Sequence, residues 1–391
     1  MRRATLPVTL FVQAAASAAV IAPAVAAPRL VERLHLGATA VGLFVALVYL
    51  AAMFASPLGA QLVRRWGPIR ASQTAQCVSA AGLALLAWPS VPAAVAGALL
   101  IGLGYGPITP ASSQMLSRTT DPRRYALVFS VKQTGVPLGG VIAGLLVPAL
   151  ITAFGVAGAP LGVALLCLLG ALAAWPLAAE LDRDRDATSA WPTLRGLMAP
   201  VDFVARHPVL RSLALTSLVF SIVQLSLTSY LVSYLTGDLH WTLVAAGAAL
   251  SASQVAGVAG RVVWGLVADR WLGPRRMLMA LALAMAGCGL AMPLPGPGSA
   301  AAPVIALACL FGATAVGWNG VYLATVARLV PHEQAATATA GTLFFTFFGV
   351  VVGPPLFGAV GSAFGALGPA FALLALPLGW GLWSLARARW A

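Results

Sequence analysis

Acidic side chains are scarce in this sequence: there are ten in 391 residues, and charged residues of both signs make up only 8%. A soluble globular chain carries roughly 25% charged residues, so an ordinary cytosolic enzyme is excluded. Disorder is excluded as well, because 60% of the residues are hydrophobic and the mean hydropathy is +0.92. Cysteine is rare, and Cys77, Cys167, Cys288 and Cys309 all fall inside apolar runs without a CxxC pair. They read as small apolar filler, and neither a disulfide framework nor a metal site is implied. The sequence also lacks HExxH, GxSxG, paired carboxylates and a phosphate-cradling Walker loop. Neither a membrane enzyme nor an ATP-driven pump is indicated, and no cofactor is expected.

What the sequence has is long apolar runs. At roughly 20 residues per crossing, its length accommodates about twelve membrane helices. Bounded by Arg, Pro, Gly or Asp, they are expected at Leu6 to Leu30, Ala38 to Leu62, Arg70 to Trp88, Val91 to Leu116, Tyr125 to Phe154 and Leu161 to Ala179. A second set is expected at Val209 to Leu235, Thr242 to Ala268, Arg275 to Met292, Ala300 to Val326, Ala335 to Phe364 and Pro369 to Ala386. Arg2 and Arg3 before an apolar stretch ending Ala24-Val25-Ala26 have the form of a cleavable leader. The run from Leu6 to Ala27 is nevertheless long enough to span, and removing it would leave an odd number of helices. The longest polar stretch, Glu180 to Pro208, divides the chain into an N-terminal bundle (1–180), a linker (181–208) and a C-terminal bundle (209–391).

The net charge of +13 does not point to nucleic acid, because the basic residues sit in short gaps between apolar runs. Placement on alternate loops puts Arg29 and Arg33 on one side of the membrane. Apart from the embedded Arg261, every other arginine falls on the opposite side. By the positive-inside rule both termini and the linker are cytoplasmic. A chain rich in Ala, Gly and Arg with almost no lysine suggests a GC-rich bacterial genome, hence the bacterial inner membrane, with lipid as its surroundings and a monomer as the expected state.

The two halves repeat. After the second helix the chain reads Gly59-Ala60-Gln61-Leu62-Val63-Arg64-Arg65-Trp66-Gly67-Pro68, and after the eighth Gly265-Leu266-Val267-Ala268-Asp269-Arg270-Trp271-Leu272-Gly273-Pro274-Arg275-Arg276. The second loop resembles the G-x-x-x-D-R-x-G-R-R pattern of the major facilitator superfamily, with small insertions at Leu272 and Pro274. In the first loop Arg64 stands where the pattern has its aspartate. Gly135-Val136-Pro137-Leu138-Gly139-Gly140 is similar to the glycine-proline motif of antiporters in that family, and Gly353-Pro354-Pro355-Leu356-Phe357-Gly358 echoes it. The resemblance implies an all-α membrane fold of twelve helices in two pseudo-symmetric six-helix bundles and transport by alternating access. It also implies conformational gating by Gly265, Asp269, Arg270, Arg275 and Arg65.

Charge at mid-bilayer costs at least about 2.5 kcal/mol and is a functional hypothesis by default. All ten acids and the four histidines, His35, His207, His240 and His332, lie in loops or at helix ends. Two charged residues are embedded. Lys132, the only lysine against 22 arginines, sits eight residues beyond Arg124, about 12 Å deep. Arg261 lies at a similar depth, eight residues before Asp269. Snorkelling to the interface, or neutralising a helix carbonyl terminus, is the bland reading of each. The functional reading is a small anionic substrate held between them, with the guanidinium fork suited to a carboxylate. This resembles the organic-anion branch of the family, the oxalate/formate exchangers and monocarboxylate transporters. Gly257, in place of an aspartate one turn before Arg261, departs from the monocarboxylate pattern, and Ala55 departs from the second arginine of nitrate carriers.

Polar stripes support a central water-filled path: Gln13 and Ser17; Tyr105, Thr109 and Ser112; Ser217, Ser221, Gln224 and Thr228; and Gln254 on the Arg261 face. Gln133 and the segment Trp318-Asn319-Gly320-Val321-Tyr322 complete the substrate-binding set. Cross-helix packing is the alternative role for each of these polar residues. The competing functions are a proton-coupled multidrug exporter, prompted by the glycine-proline motif but lacking the buried acid that cationic drugs need, and a membrane sensor, for which there is no soluble signalling domain. Energy is expected from a gradient, through a coupled proton or a counter-anion.

Overall fold

The computed structural model describes residues 2–34, 39–189 and 193–388. His35 and Arg389 lie outside the described residues. Among the described residues the secondary structure is helical throughout, with no strand. Nine helical stretches there are long and apolar enough to cross a membrane. Two of them are double crossings: the stretch Pro122–Leu181 turns at Gly155, and Ala245–Ala291 turns at Gly273. Pro68–Leu86 completes the twelve, its apolarity diluted by Arg70, Ser72, Gln73, Gln76 and Ser79.

In chain order the crossings are α1 (Arg2–Val25), α2 (Thr39–Trp66), α3 (Pro68–Leu86), α4 (Val91–Thr119), α5 (125–154) and α6 (156–181). The second set is α7 (Pro208–Gly237), α8 (Leu243–Val267), α9 (Gly273–Ala291), α10 (Ala301–Arg328), α11 (Ala335–Phe364) and α12 (Leu367–Arg387). The sets repeat their irregularities. Positive-φ glycines open α3 and α9 (Gly67, 88°; Gly273, 74°) and separate α5 from α6 and α11 from α12 (Gly155, 73°; Gly365, 68°). A 3-10 turn precedes α5 (Pro122–Arg124) and α11 (His332–Gln334).

The structure departs from the sequence expectation in three helices. The first does not run unbroken to Leu30; it ends at Val25, and a separate helix, Ala27–Leu34, follows. Pro28 lacks the N–H that would continue the ladder. α4 and α10, expected to be continuous, are each broken, at Gly106–Pro107 and at Val316–Trp318. The insertion read at Leu272 is absorbed as a π-helical turn, Ala268–Leu272, which accommodates an extra residue without ending the helix.

By packing, the chain forms two compact units. One comprises Met1–Pro122, Val131–Val204 and Ala327–Phe344; the other comprises Arg123–Ser130, Ala205–Val326 and Phe345–Ala391. In the first, α1 presents a wholly buried run from Ala14 to Ala19. There α5 approaches so closely that a Cβ on Gly139 would lie 2.4 Å from the Ala14 carbonyl oxygen. Small residues at crossings are how helices associate in lipid, where apolar burial drives nothing. The second unit does the same where α11 meets α7, at Gly349 and the Leu218 carbonyl. The glycine-proline motif of α5 thus serves close packing, and Gly353 of the α11 motif does the same against Ile222.

The linker is structured where it is described. The helix Ala199–Arg206 buries Pro200, Val201 and Val204. Asp186 accepts bonds from the Thr188 hydroxyl (2.5 Å) and from the Thr188 and Ser189 amides, which hold its carboxyl below the ordinary carboxylate value. Asp182, at the end of α6, accepts from the amides of Ile69 (2.8 Å) and Arg70 (3.2 Å) and so caps α3. Burial pushes its carboxyl above the usual value, against the pull of those two amides and of the Arg70 and Arg185 charges.

Gly67 makes that cap possible, since its φ of 88° is unfavourable for an L side chain and a Cβ there would lie 2.3 Å from Asp182 Oδ1. Gly67→Ala should therefore lower stability by about 1–3 kcal/mol, whereas Gly144→Ala, on an open helix face, should be neutral or slightly stabilising. Thermal unfolding of the two variants in detergent gives the comparison.

Candidate functional site

In the first unit, the buried ammonium of Lys132 is ringed by neutral oxygens. Its Nζ donates to Gln13 Oε1 (2.7 Å), Gln133 Oε1 (3.1 Å) and Thr109 Oγ1 (3.5 Å). The Thr109 hydroxyl also donates to Gln13 Oε1 (3.2 Å), and Gln13 Nε2 donates to Ser17 (3.2 Å). Lys132, Gln13 and Ser17 are each no more than 1% exposed. An ammonium is a donor only, so it fixes Gln13 with its oxygen toward the charge. Of the residues singled out in the sequence, Lys132, Gln133, Gln13, Ser17 and Thr109 are thus brought together from α1, α4 and α5. Thr109 is in place because α4 restarts after Gly106–Pro107, at Ile108.

In the second unit, the break in α10 organises the corresponding cluster. Val316 follows the last residue of the first segment, and its carbonyl accepts from Arg261 Nε at 3.1 Å. The guanidinium therefore satisfies a helix C-terminus through its Nε, the bland role foreseen for it. Two residues on, Trp318 Nε1 and Asn319 Nδ2 both donate to Gln224 Oε1 (3.0 and 3.2 Å). The indole N–H cannot accept, so Gln224 is held with its oxygen inward and its Nε2 amide as the remaining donor. Tyr322 and Phe220 stack edge-on to Trp318, each with centroids 5.3 Å away. Arg261, Trp318 and Tyr322 are at most 2% exposed.

Other expected residues are placed differently. Gln254 is exposed, unlike the buried Arg261 on the same helix. Ser217, Ser221 and Thr228 serve packing: Ser217 accepts from Thr346 (2.9 Å), Ser221 donates to the Thr346 carbonyl (2.9 Å), and Thr228 donates back to Gln224 O (3.0 Å). Tyr105 packs edge-on against Tyr49.

The gating residues divide in the same way. Asp269 accepts from the amides of Ala126 (3.2 Å) and Leu127 (2.8 Å), capping the start of α5 inside the second unit. Gly265 lets α8 approach that segment, since a Cβ would lie 2.6 Å from Ser130 Oγ. Arg275 donates to the Ala386 carbonyl (2.9 Å) and Arg65 to the Ser189 carbonyl, while Arg270 is exposed. The sequence reading missed the counterpart of Asp269. With Arg64 in the aspartate's place, the start of α11 is capped from α4 instead, by Gln114 Oε1 accepting from Ala336 N at 3.2 Å inside the first unit. Gln114 is 5% exposed. No sequence motif marks it; four residues before Arg118, it faces α11 only because the helices cross there.

One cap is an anion taking two amides and the other a neutral amide taking one. Asp269→Ala should cost about 1.5–3 kcal/mol and Gln114→Ala about 0.5–1.5 kcal/mol. Thermal unfolding of the pair checks this, and equal losses would mean that the charge on Asp269 adds nothing.

The pattern of the Major Facilitator Superfamily matches residues 9–354. No curated protein matches the sequence. Among solved structures, the human organic anion transporter MFSD10 is similar with a TM-score of 0.80 at 14% identity, over 98% of this chain and 99% of that one. The E. coli fucose:proton symporter FucP, in the outward conformation, is similar with a TM-score of 0.74 at 17% identity, over 99% of each chain. A bacterial homologue of the iron transporter ferroportin in the outward-facing state gives 0.75 at 13% identity, over 99% of this chain and 98% of that one. At such identities the likeness is one of fold. The match over residues 9–354 decides the family: the chain belongs to the Major Facilitator Superfamily, a family of multi-pass membrane transporters.

Proposed function

We propose that this transporter moves a small organic anion, a carboxylate, by alternating access of two six-helix bundles, 1–180 and 209–391, joined by the linker 181–208. The observation that carries the reading is the donor character of both clusters. One holds a buried ammonium whose donors meet the neutral oxygens of Gln13, Gln133 and Thr109, which a charged carboxylate would outcompete, and the other holds a guanidinium beside an amide whose oxygen is already committed to Trp318 and Asn319. A carboxylate has only acceptors to offer and suits such surroundings. The substrate-binding set is Lys132, Gln133, Gln13, Arg261, Gln224, Asn319 and Tyr322, and the exposed Gln254 is left out of it. The similarity in fold to a protein named as an organic anion transporter agrees with this reading.

The caps by Asp269 and Gln114 join helices of different six-helix sets, so alternating access breaks and remakes them. Gly265, Arg270, Arg275 and Arg65 belong to the same gate. With the basic loops inside, both termini are cytoplasmic and the membrane is a bacterial inner membrane. The carrier works as a monomer, driven by a coupled proton or a counter-anion.

Replacing Lys132 separates an anion carrier from an exporter of cationic drugs. Lys132→Gln should weaken carboxylate binding by about 2–5 kcal/mol, because the substrate charge then lacks its counter-charge. Stability without substrate should stay level or rise, since burying an ammonium carries a desolvation cost. Ligand-induced thermal shifts with a panel of carboxylates and a panel of lipophilic cations measure both effects. An unchanged carboxylate shift, or a gain for the cations, would sink the anion reading.

Arg261→Lys should impair transport more than retention of charge predicts. A point-charge ammonium cannot hold the Val316 carbonyl and a two-pronged carboxylate together. Counterflow in proteoliposomes gives the test, and wild-type affinity in the lysine variant would leave only a field effect.

A further inference from the structure

Away from the transport site, a groove of about 560 Å³ opens between the start of α3 and the end of α6 in the first unit. Arg70, Gln73, Trp175, Asp182, Arg183 and Arg185 line it. We propose that this groove binds the phosphate headgroup of an anionic phospholipid, with one acyl chain lying along the adjoining outer faces of α3 and α6.

Charge, position and shape each support this assignment. Three arginines face one carboxylate, and that carboxylate, Asp182, is turned to the Ile69 and Arg70 amides. The neighbouring Asp184 pairs with Arg118 at 3.3 Å, and Glu180 does not line the groove. Arg183, which lines the groove, is tethered by its Nε to the Ala179 carbonyl (3.0 Å), a bond that does not use its two NH2 groups. Planar guanidinium groups match phosphate oxygens bidentately.

The position is that of a membrane interface. On α6 the exposed residues Leu161, Leu165, Leu168, Leu172 and Trp175 recur every three or four positions, one continuous apolar face ending at the groove. Trp175 is 69% exposed at the rim, where the amphipathic indole sits between hydrocarbon and headgroups. On α3 the exposed positions nearest Arg70 are small, Cys77, Ala81 and Ala84, before Leu85 at the far end, so beside the α6 leucines they leave a channel for a chain. Basic pockets between membrane helices are where anionic headgroups bind. The volume lies in the range of small-molecule sites. The proposal is independent of the substrate: it stands whether or not the carrier moves a carboxylate.

The test uses the purified, delipidated full chain in a neutral detergent. Dioleoylphosphatidylglycerol, dioleoylphosphatidylcholine and inorganic phosphate are titrated separately, with binding read by native mass spectrometry and by thermal shift. Phosphatidylglycerol should be retained and should raise Tm, and the effect should shrink at high salt. Phosphatidylcholine should bind more weakly. Combining Arg70→Gln, Arg183→Gln and Arg185→Gln should lower apparent affinity for phosphatidylglycerol at least about tenfold, whereas Arg211→Gln, an exposed arginine at the start of α7, should leave it unchanged. Should the triple variant not fold, Arg183→Gln alone should lower affinity about fivefold. Undiminished binding in the variants, equal loss in Arg211→Gln, or a thermal shift reproduced by inorganic phosphate would each overturn the assignment.

Discussion

The first amides of a helix have no partner within it, and in this protein side chains distant in sequence meet that need. Asp182 caps α3, Asp269 caps α5, and Asp238 receives the amides of Leu367 and Gly368 at the start of α12. Gln114 does the same for α11. Each cap ties one helix to another that is far away in sequence. Three of the ten acids are thus structural: at helix ends they meet partial positive charge, and in the middle of the bundles they would have had to be desolvated. The cations Lys132 and Arg261 are then left in the bundles among neutral side chains and backbone carbonyls.

The broken helices follow the same accounting. α4 gives up continuity at Gly106–Pro107 and α10 at Val316–Trp318. A freed carbonyl in α10 recruits Arg261, and the residues just beyond it hold Gln224. Backbone irregularity deep in a membrane protein persists only where such partners exist. The break therefore aims the guanidinium as much as the guanidinium stabilises the break. In the first unit the ammonium of Lys132 plays the organising part, drawing in the oxygens of Gln13, Gln133 and Thr109.

Much of this was legible in the sequence because membranes enforce coarse rules. Twelve apolar runs, the Gly67 and Gly273 loops and two embedded cations stand out against a background with 8% charge. What escaped reading has no local signature. Gln114 is one glutamine among many, and its role exists only where α4 crosses α11. The break at Val316–Trp318 contains no proline, unlike that at Gly106–Pro107, and rests on tertiary contacts. Gln254 shows the opposite failure: spacing places it with Arg261 on an ideal helix, yet it is exposed, since shared helical phase does not guarantee burial along a long span.

A chain with a single lysine has a single side-chain ε-amine, and that amine is 1% exposed behind three hydrogen bonds. Amine-selective acylating reagents therefore find no surface side chain to modify. The arginine-rich loops are chemically silent to them. Any acylation of an ε-amine reports the moments when the bundle interior opens to solvent, so the protein carries its own site-specific handle for following that opening in time.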